Sequence, residues 1–308
     1  MFDTHSHIQF KVFEKNIAEV IDNAKKAGVN KIIACATNLE SSKKAVDLAN
    51  RFEGVYAAVG VHPHHIFSYL PRHSGLDPES IQTKNPMDSR FRGNDTNAVQ
   101  DGIEKIEQLL QNPKVVAIGE VGMDKYLYTK TKYKNYQINV EFLKLQRELF
   151  ASQIKLALKH KKSLIIHNRL AVKKTLEVLK QNWDPFFERR SVFHCCEPEQ
   201  ELLKFALENK VYIGIDGDIT YDKEKQKFLK KVPLDHLVLE TDSPFLTPEP
   251  LKSSLPRHPE LVSGSVNNEP KNLPLIAEFI AELLDVSLES IAKTTTNNSL
   301  QLFNLEQN

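Results

Sequence analysis

Short runs of apolar residues alternate with helical patterns along most of the chain. Eight runs have the length and composition of β-strands: residues 2–5, 31–35, 55–61, 115–119, 163–167, 191–194, 211–215 and 237–241. Several are almost entirely apolar, as is typical of strands that are covered on both faces. Between the first two, Ile17, Val20, Ile21 and Ala24 recur at helical spacing, and Gly28 follows where a helix C-cap is expected. Strands alternating with helices predict a parallel sheet, and we expect a closed (β/α)8 barrel of the TIM type.

Two segments, roughly residues 68–97 and 252–268, interrupt this alternation. Both are rich in Pro, Gly and Ser, and residues 70–73 and 255–258 share the tetrapeptide Leu-Pro-Arg-His. Loops of this length without secondary structure are uncommon inside compact domains. The repetition, together with a resemblance to a palindromic element that enters bacterial genes in frame, favours passive insertion over an evolved lid. Since both segments follow predicted strands, we expect them at the catalytic face of a single domain spanning residues 1–308.

Composition limits the possible classes of protein. A chain of 308 residues with 41% hydrophobic residues can build one such barrel, and a net charge of +1 gives no overall attraction to nucleic acid. Three cysteines, two of them adjacent, form neither a disulfide framework nor a CxxC motif. The first residues lack the basic and apolar regions of a signal peptide, and no apolar run is long enough to span a membrane. We therefore expect a cytoplasmic monomer without membrane association.

Histidines and carboxylates stand at the ends of the predicted strands. His5 and His7 lie two residues apart on an extended segment, so both side chains project to the same side and could bind one metal together. Similar candidates end four other strands: Glu120, His167, His194 and Asp242. In a parallel barrel the carboxyl ends of the strands meet at one rim, so these residues can converge although they are far apart in sequence.

Each candidate alone has an ordinary structural explanation, such as a hydrogen-bonded histidine or a solvated carboxylate. Their joint occurrence favours a centre for one or two divalent cations, and mixed nitrogen and oxygen ligation suits Zn, Mn or Mg better than Ca. Glu120 has two oxygens with which it could bridge two cations. Asp242 could bind a metal and also accept a proton from an attacking water.

These motifs resemble the TatD family of metal-dependent deoxyribonucleases, which belongs to the amidohydrolase-like barrels. The resemblance rests on DTHSH at residues 3–7, GVHPH at 60–64, AIGEVGMD at 117–124, IHNR at 166–169, VFHC at 192–195 and LETDSP at 239–244. These stretches follow the family's order over almost the full chain, apart from the two insertions. The resemblance implies that the metal ligands are His5, His7, Glu120, His167, His194 and Asp242, with Glu120 bridging where two metals bind.

The resemblance also implies roles for residues around the ligands. It puts His62, and with it His64 and Arg169, near the scissile phosphate. The alternatives are that His64 is simply exposed at the rim and that Arg169 pairs with a neighbouring acid. We expect Asp124 and Glu240 to lie behind ligand histidines and to orient them.

The chain departs from the family's pattern away from the ligand positions. Cys196-Glu197-Pro198 replaces an aromatic residue followed by Ser-Gly, Lys125 stands where an aromatic is common, and Asp216-Gly217 replaces Ser-Gly. Glu197 could add negative charge where a polyanion approaches. These departures leave the preferred substrate open.

Three hypotheses follow from the sequence. The first is a phosphodiester hydrolase that degrades single-stranded DNA ends as a 3'–5' exonuclease does, with RNA ends as a further possibility. The second is an amidohydrolase or esterase built on the same barrel. The third is a metal-binding or nucleic-acid-binding barrel without turnover, its site blocked by the two insertions.

Overall fold

The computed structural model describes residues 1–69, 94–129, 137–254 and 268–306. Within these residues, eight parallel strands form one sheet in chain order: β1 Phe2–Ser6, β2 Lys31–Cys35, β3 Val55–Val59, β4 Val115–Asp124, β5 Ser163–Arg169, β6 Ser191–Phe193, β7 Tyr212–Ile215 and β8 Leu237–Leu239. The prediction of a (β/α)8 barrel is confirmed. Most strand bounds agree with the apolar runs to within about two residues, as expected for strands buried on both faces.

The first and last strands approach each other just beyond their carboxyl ends. The Asp242 amide donates to the His5 carbonyl at 2.9 Å, and the His7 amide donates to the Ser243 carbonyl at 2.7 Å. Behind them, the buried Asp3 carboxylate accepts hydrogen bonds from the Thr241 hydroxyl at 2.6 Å and its amide at 3.0 Å. These bonds close the barrel next to the predicted ligands and fix His5 relative to Asp242.

Helices surround the strands, and most of them bury one apolar face. They are α1 Ile17–Lys26, α2 Leu39–Arg51, α3 Asn94–Leu109, α4 Val140–Lys159, α5 Val172–Asn182, α6 Gln200–Glu208, α7 Lys223–Leu229, α8 Leu251–Ser254, α9 Leu273–Leu284 and α10 Leu288–Phe303. In α1 the predicted stripe of Val20, Ile21 and Ala24 is buried against the barrel. Among the described residues, no helix has the length and apolar character needed to cross a membrane.

The end of α10 fills the amino-terminal mouth of the barrel. The Phe303 ring lies 5.6 Å from the Phe2 ring, and Leu302 is fully buried with the inward-facing strand residues. The Tyr212 hydroxyl donates to Gln301 Oε1 at 2.8 Å. Because this end is filled by side chains, the functional groups at the opposite, carboxyl-terminal end are the accessible ones.

One strand is longer than predicted, and most of the two predicted insertions lies outside the residues that the structure describes. Strand β4 continues five residues beyond the predicted end at Gly119, because after a register shift between Ile118 and Val121 it pairs again with β5. Most of the predicted insertions, residues 70–93 and 255–267, lies outside the described residues. The described flanks Tyr69 and Asn268 belong to connections that follow β3 and β8.

Candidate metal centre

Side chains from β1 and from the segment after β8 form the first half of the centre. His5 Nε2 lies 3.4 Å from His7 Nε2, as expected for residues two apart on a strand. Asp242 Oδ1 lies 3.6 Å from His5 Nε2 and 3.3 Å from His7 Nε2. His7 Nε2 also lies 3.5 Å from Glu120 Oε1, so this half meets the carboxylate of β4.

The other oxygen of Glu120 faces the second half. Glu120 Oε2 lies 3.2 Å from His167 Nδ1, 3.7 Å from His194 Nε2 and 3.9 Å from His62 Nε2. One buried carboxylate therefore stands between His7 on one side and three imidazoles on the other. The structure brings together all six residues predicted as ligands.

The local structure of β4 positions Glu120 between the two halves. The Glu120 amide donates to the Ala36 carbonyl at 3.0 Å, which ties this part of β4 to the end of β2. Two residues later Gly122 has φ +154°, and a Cβ there would lie 1.9 Å from the His167 carbonyl oxygen. Only glycine allows β4 and β5 to come this close, which keeps Glu120 beside His167.

The outer nitrogens of three imidazoles are held by acceptors. His7 Nδ1 donates to the Cys35 carbonyl at 2.7 Å, and this turns Nε2 toward Glu120 and Asp242. His194 Nδ1 donates to Glu240 Oε1 at 3.0 Å, and His167 Nε2 donates to an Asp124 oxygen 3.2 Å away. Such pairing fixes tautomer and ring orientation in metal-bound histidines. The donor set thus fits one or two divalent cations.

Burial and the surrounding charges set the ionisation of the cluster. Burial lowers the pKa of His5 and of His62 well below the usual value, so both imidazoles are neutral. His62 Nδ1 accepts a hydrogen bond from the His64 amide at 3.0 Å, which leaves the ring proton on Nε2, the nitrogen that faces Glu120. Burial disfavours the carboxylate of Glu120, but the surrounding imidazoles outweigh it and hold that pKa well below its usual range. Burial also opposes charge on His167 and His194, yet hydrogen bonds and nearby carboxylates raise the pKa of His167 to about 9 and of His194 to about 10.

The residues predicted to contact the phosphate have different surroundings. His62 joins the cluster itself, with its ring 4.2 Å from that of His167, and its Nε2 faces Glu120 as a proton donor because its Nδ1 accepts from the His64 amide. His64 is buried, and its ring packs 4.4 Å from that of Tyr128, so the alternative of simple rim exposure is wrong. Arg169 is exposed at the end of β5.

Two tyrosines that sequence reasoning missed connect Arg169 to the centre. The Arg169 guanidinium stacks 3.9 Å above the Tyr126 ring and donates to the Tyr128 hydroxyl at 3.2 Å. The Tyr128 hydroxyl donates in turn to Asp124 Oδ2 at 2.8 Å, and Asp124 accepts from His167. The two tyrosines lie two residues apart just after β4, so their spacing could have indicated that both side chains face the same side of the rim.

Glu197, the acid that departs from the family's pattern, supports the loop after β5. Its carboxylate accepts hydrogen bonds from the Asn168 side chain and from the Leu170 amide, the latter at 2.9 Å. Burial raises its pKa. Glu197 thus stabilises the backbone that follows His167.

A second acidic cluster lies behind Cys195. Lys225, which is 4% exposed, places its ammonium 2.6 Å from Asp218, 3.5 Å from Asp216 and 3.6 Å from the Cys195 sulfur. Cys195, Asp216 and Asp218 have the spacing of a cation site. The lysine supplies the positive charge there, so the cluster is a buried ion-pair network of the chain itself.

Comparison with known proteins agrees with this geometry. A family model described as "TatD related DNase" matches residues 2–304. The chain belongs to the TatD family. The metal-dependent hydrolase YabD of Bacillus subtilis is 28% identical over 99% of both chains, and the human deoxyribonuclease TATDN3 is 27% identical over 98% of this chain and 94% of its own.

Solved structures of related proteins contain the same barrel. The crystal structure of YjjV, a TatD homologue from Escherichia coli K12, has a TM-score of 0.74 at 25% identity and covers 99% of this chain and 98% of its own. An amidohydrolase from Saccharomyces cerevisiae, with a TM-score of 0.74 at 17% identity over 98% of this chain and 99% of its own, shares the fold. This TatD chain is a metal-dependent hydrolase related to proteins that are named deoxyribonucleases.

Proposed function

We propose that the chain is a phosphodiesterase that removes nucleotides from the 3' ends of single-stranded DNA, using one or two divalent cations. The observation that carries this proposal is Glu120, which faces His7 with one oxygen and His167 with the other, at 3.5 and 3.2 Å. A carboxylate that faces two groups of nitrogen donors is the arrangement that a bridged two-metal site requires. Family membership and the deoxyribonuclease names of several relatives support DNA as the substrate.

The other proposed ligands lie in the two halves of the centre, on either side of Glu120. His5, His7 and Asp242 would hold one cation with Glu120, and His167 and His194 would hold a second. A divalent cation, when bound, supplies Lewis acidity that neutralises charge on a phosphoryl oxygen. Mg, Mn and Zn all suit this donor set.

Asp242 is the side chain best placed to accept a proton from an attacking water. Its side chain is 13% exposed, whereas that of Glu120 is 5% exposed, so water reaches Asp242 more readily. His62 and Arg169 would hold the phosphate, His62 from within the cluster and Arg169 from the exposed end of β5, with His64 packed behind. Tyr126 restricts the guanidinium, so less conformational entropy is lost when Arg169 clamps an anion.

The proposal includes the cellular compartment and the oligomeric state. The three cysteines are unpaired, and Cys35 and Cys196 are buried, which suits a reducing cytoplasm. We propose a monomer that acts on DNA ends and, less efficiently, on RNA ends, with both insertions outside the catalytic machinery.

The test is cleavage of a 5'-labelled single-stranded oligonucleotide with MgCl2 or MnCl2. The wild-type protein should shorten the strand stepwise from its 3' end, and excess EDTA should stop it. Glu120→Gln should reduce the rate more than about 100-fold, because even partners behind metal ligands contribute 10–100-fold. Glu278→Gln, on the exposed face of α9, is the matched control and should cleave like the wild type.

Three outcomes would overturn the proposal or part of it. Equal cleavage by wild type and Glu120→Gln would point to a contaminating nuclease. Hydrolysis of nitrophenyl esters with Zn, but of no DNA or RNA, would favour the amidohydrolase or esterase alternative. Activity that appears only after deletion of residues 70–93 would mean that the first insertion blocks the site.

A further inference from the structure

A cavity of about 470 Å³ opens beside the metal centre. Its walls come from the segment after β1, the start of α2 and the segment after β8. Small-ligand sites have volumes of about 300–1,000 Å³, so this cavity can admit one base with its sugar. None of the roles assigned above uses it. It is named here the Phe10–Phe245 cavity, after the two aromatic residues in its wall.

The cavity shares a wall with the cluster. The Phe10 ring stacks on the His7 ring at 4.6 Å with an interplanar angle of 12°, while His7 Nε2 faces Glu120 and Asp242 on the cluster side. A ligand against Phe10 would therefore lie next to a group bound at the centre. Two neighbouring sites of this kind suit consecutive parts of one substrate better than two separate ligands.

The exposed aromatic residue in this wall is Phe245. Its side chain is 51% exposed, and its ring stands edge-on to Phe10 at 6.3 Å and to His7 at 6.0 Å. Two phenyl rings at a steep angle, one of them exposed, offer a face on which a flat ring can stack. Aromatic platforms of this kind hold the bases of single strands in a sequence-tolerant way.

Gln9 adds an unsatisfied acceptor to the same wall. The side chain is 7% exposed, and its Nε2 donates to the Cys35 carbonyl at 2.6 Å. Its Oε1 is buried and has no hydrogen-bond partner among the described residues. Oε1 has almost no accessible surface, so the amide must turn toward the cavity before the N–H or amino group that every nucleobase carries can supply the missing donor. The contact would favour a base over an apolar ring without selecting one base.

The charges that line the cavity favour a base inside it, with a phosphate at its edge, over a phosphate inside it. Lys11, Glu40 and Lys44 lie among the lining residues, and Lys44 pairs with Glu40 at 3.2 Å, so Lys11 supplies the net positive charge of the lining. The rest of the lining includes the two phenyl rings, the amides of Gln9 and Asn38, and the hydroxyls of Thr37 and Ser41. Positive charge next to an aromatic wall is the combination found in grooves that bind single strands.

We propose that the Phe10–Phe245 cavity binds the unpaired base of the nucleotide adjoining the scissile phosphate. This inference rests on the proposed function, and it names the feature of DNA that the enzyme recognises. A base can enter only when it is unstacked and unpaired. The cavity therefore selects single-stranded ends over duplex ends.

The test measures binding without turnover. The probes are a fluorescein-labelled thymidine hexamer and the same hexamer with abasic residues at its three 3' positions, titrated with the full chain in EDTA by fluorescence anisotropy. Wild type should bind the thymidine hexamer roughly tenfold more tightly. Phe245→Ala should lose that difference, Phe245→Tyr should keep it, and Leu207→Ala, an exposed apolar residue on α6, should leave it unchanged.

The outcomes separate this inference from the proposed function. Equal affinity of wild type for the two hexamers, or no binding of either, overturns the cavity assignment even if DNA is cleaved. A base-dependent difference that Phe245→Ala does not reduce also overturns it. A difference that Phe245→Ala removes supports the cavity, even if the cleavage assay shows no hydrolysis.

Discussion

His194 donates from Nδ1 to Glu240 Oε1 at 3.0 Å, while its Nε2 lies 3.7 Å from Glu120. Glu240 is fully buried and also accepts a hydrogen bond from the Cys195 amide at 2.5 Å. The imidazole is therefore held between a supporting carboxylate and the carboxylate that we propose as the bridge. Removing the support should disturb the centre without removing any proposed ligand.

Glu240→Gln should weaken metal binding about 10–100-fold, the usual effect of losing a carboxylate behind a histidine ligand. The amide cannot stabilise the imidazole as the carboxylate does, and it can present the wrong atom to Nδ1. Competition with a fluorescent chelator for Mn or Zn measures the affinity. Glu278→Gln is the control, and an affinity unchanged in Glu240→Gln would contradict this role of Glu240.

Gly214→Ala, a substitution in strand β7, should weaken metal binding to a similar extent. A Cβ at Gly214 would lie 2.6 Å from Glu240 Oε2, so the carboxylate would have to leave the position in which it accepts from His194. Because Glu240 is enclosed, the displacement has little room to relax. The same chelator competition measures it, and combining Gly214→Ala with Glu240→Gln should add little to either change alone.

Metal binding near pH 7 should release at least two protons, because ligand imidazoles must be neutral and, despite burial, the pKa of His7 is raised as well by Asp242 and Glu120. Without metal, neighbouring carboxylates overcome burial and raise the pKa of His167 to about 9 and of His194 to about 10. Affinity should therefore increase as the pH rises toward 9–10 and decrease as it falls. Calorimetric titration with MnCl2 in buffers of different ionisation enthalpy counts the protons. A heat that is independent of buffer would contradict the assignment.

Lys225→Met should destabilise the fold by about 3–5 kcal/mol, because the substitution leaves the buried Asp216 and the partly buried Asp218 without their counter-ion. The Lys225 ammonium lies 2.6 Å from Asp218 and 3.5 Å from Asp216. Urea unfolding in EDTA measures the change. Adding Asp216→Asn and Asp218→Asn should recover most of the loss.

The matched control for that series is Lys227→Met, on the exposed face of the same helix. It should change the free energy of unfolding by less than about 0.5 kcal/mol. Equal destabilisation by both methionine variants would show that the buried network contributes nothing specific.

The barrel and the convergence of the proposed ligands could be predicted from the sequence. Apolar runs marked the strands because both faces of each strand are covered, and parallel strands bring residues such as His5 and His194 to one rim. The roles behind the ligands followed from the resemblance, and the structure places Asp124 and Glu240 against His167 and His194.

Features that depend on contacts between distant segments could not be predicted. Strand β4 extends past Glu120 because it pairs again with β5 after a register shift, which no local pattern in β4 indicates. Phe10 and Phe245 are isolated aromatic residues after β1 and β8, so their shared wall becomes visible only once the barrel is closed. Lys225 lies on a helix whose charged residues otherwise suggest a solvated face.

The most direct test of the central claim is an anomalous-difference map from crystals of the wild-type protein soaked in MnCl2. The account predicts one or two peaks within ligand distance of Glu120, the first beside His5, His7 and Asp242 and the second beside His167 and His194. No peak at Glu120, or a peak only between Cys195, Asp216 and Asp218, would contradict it.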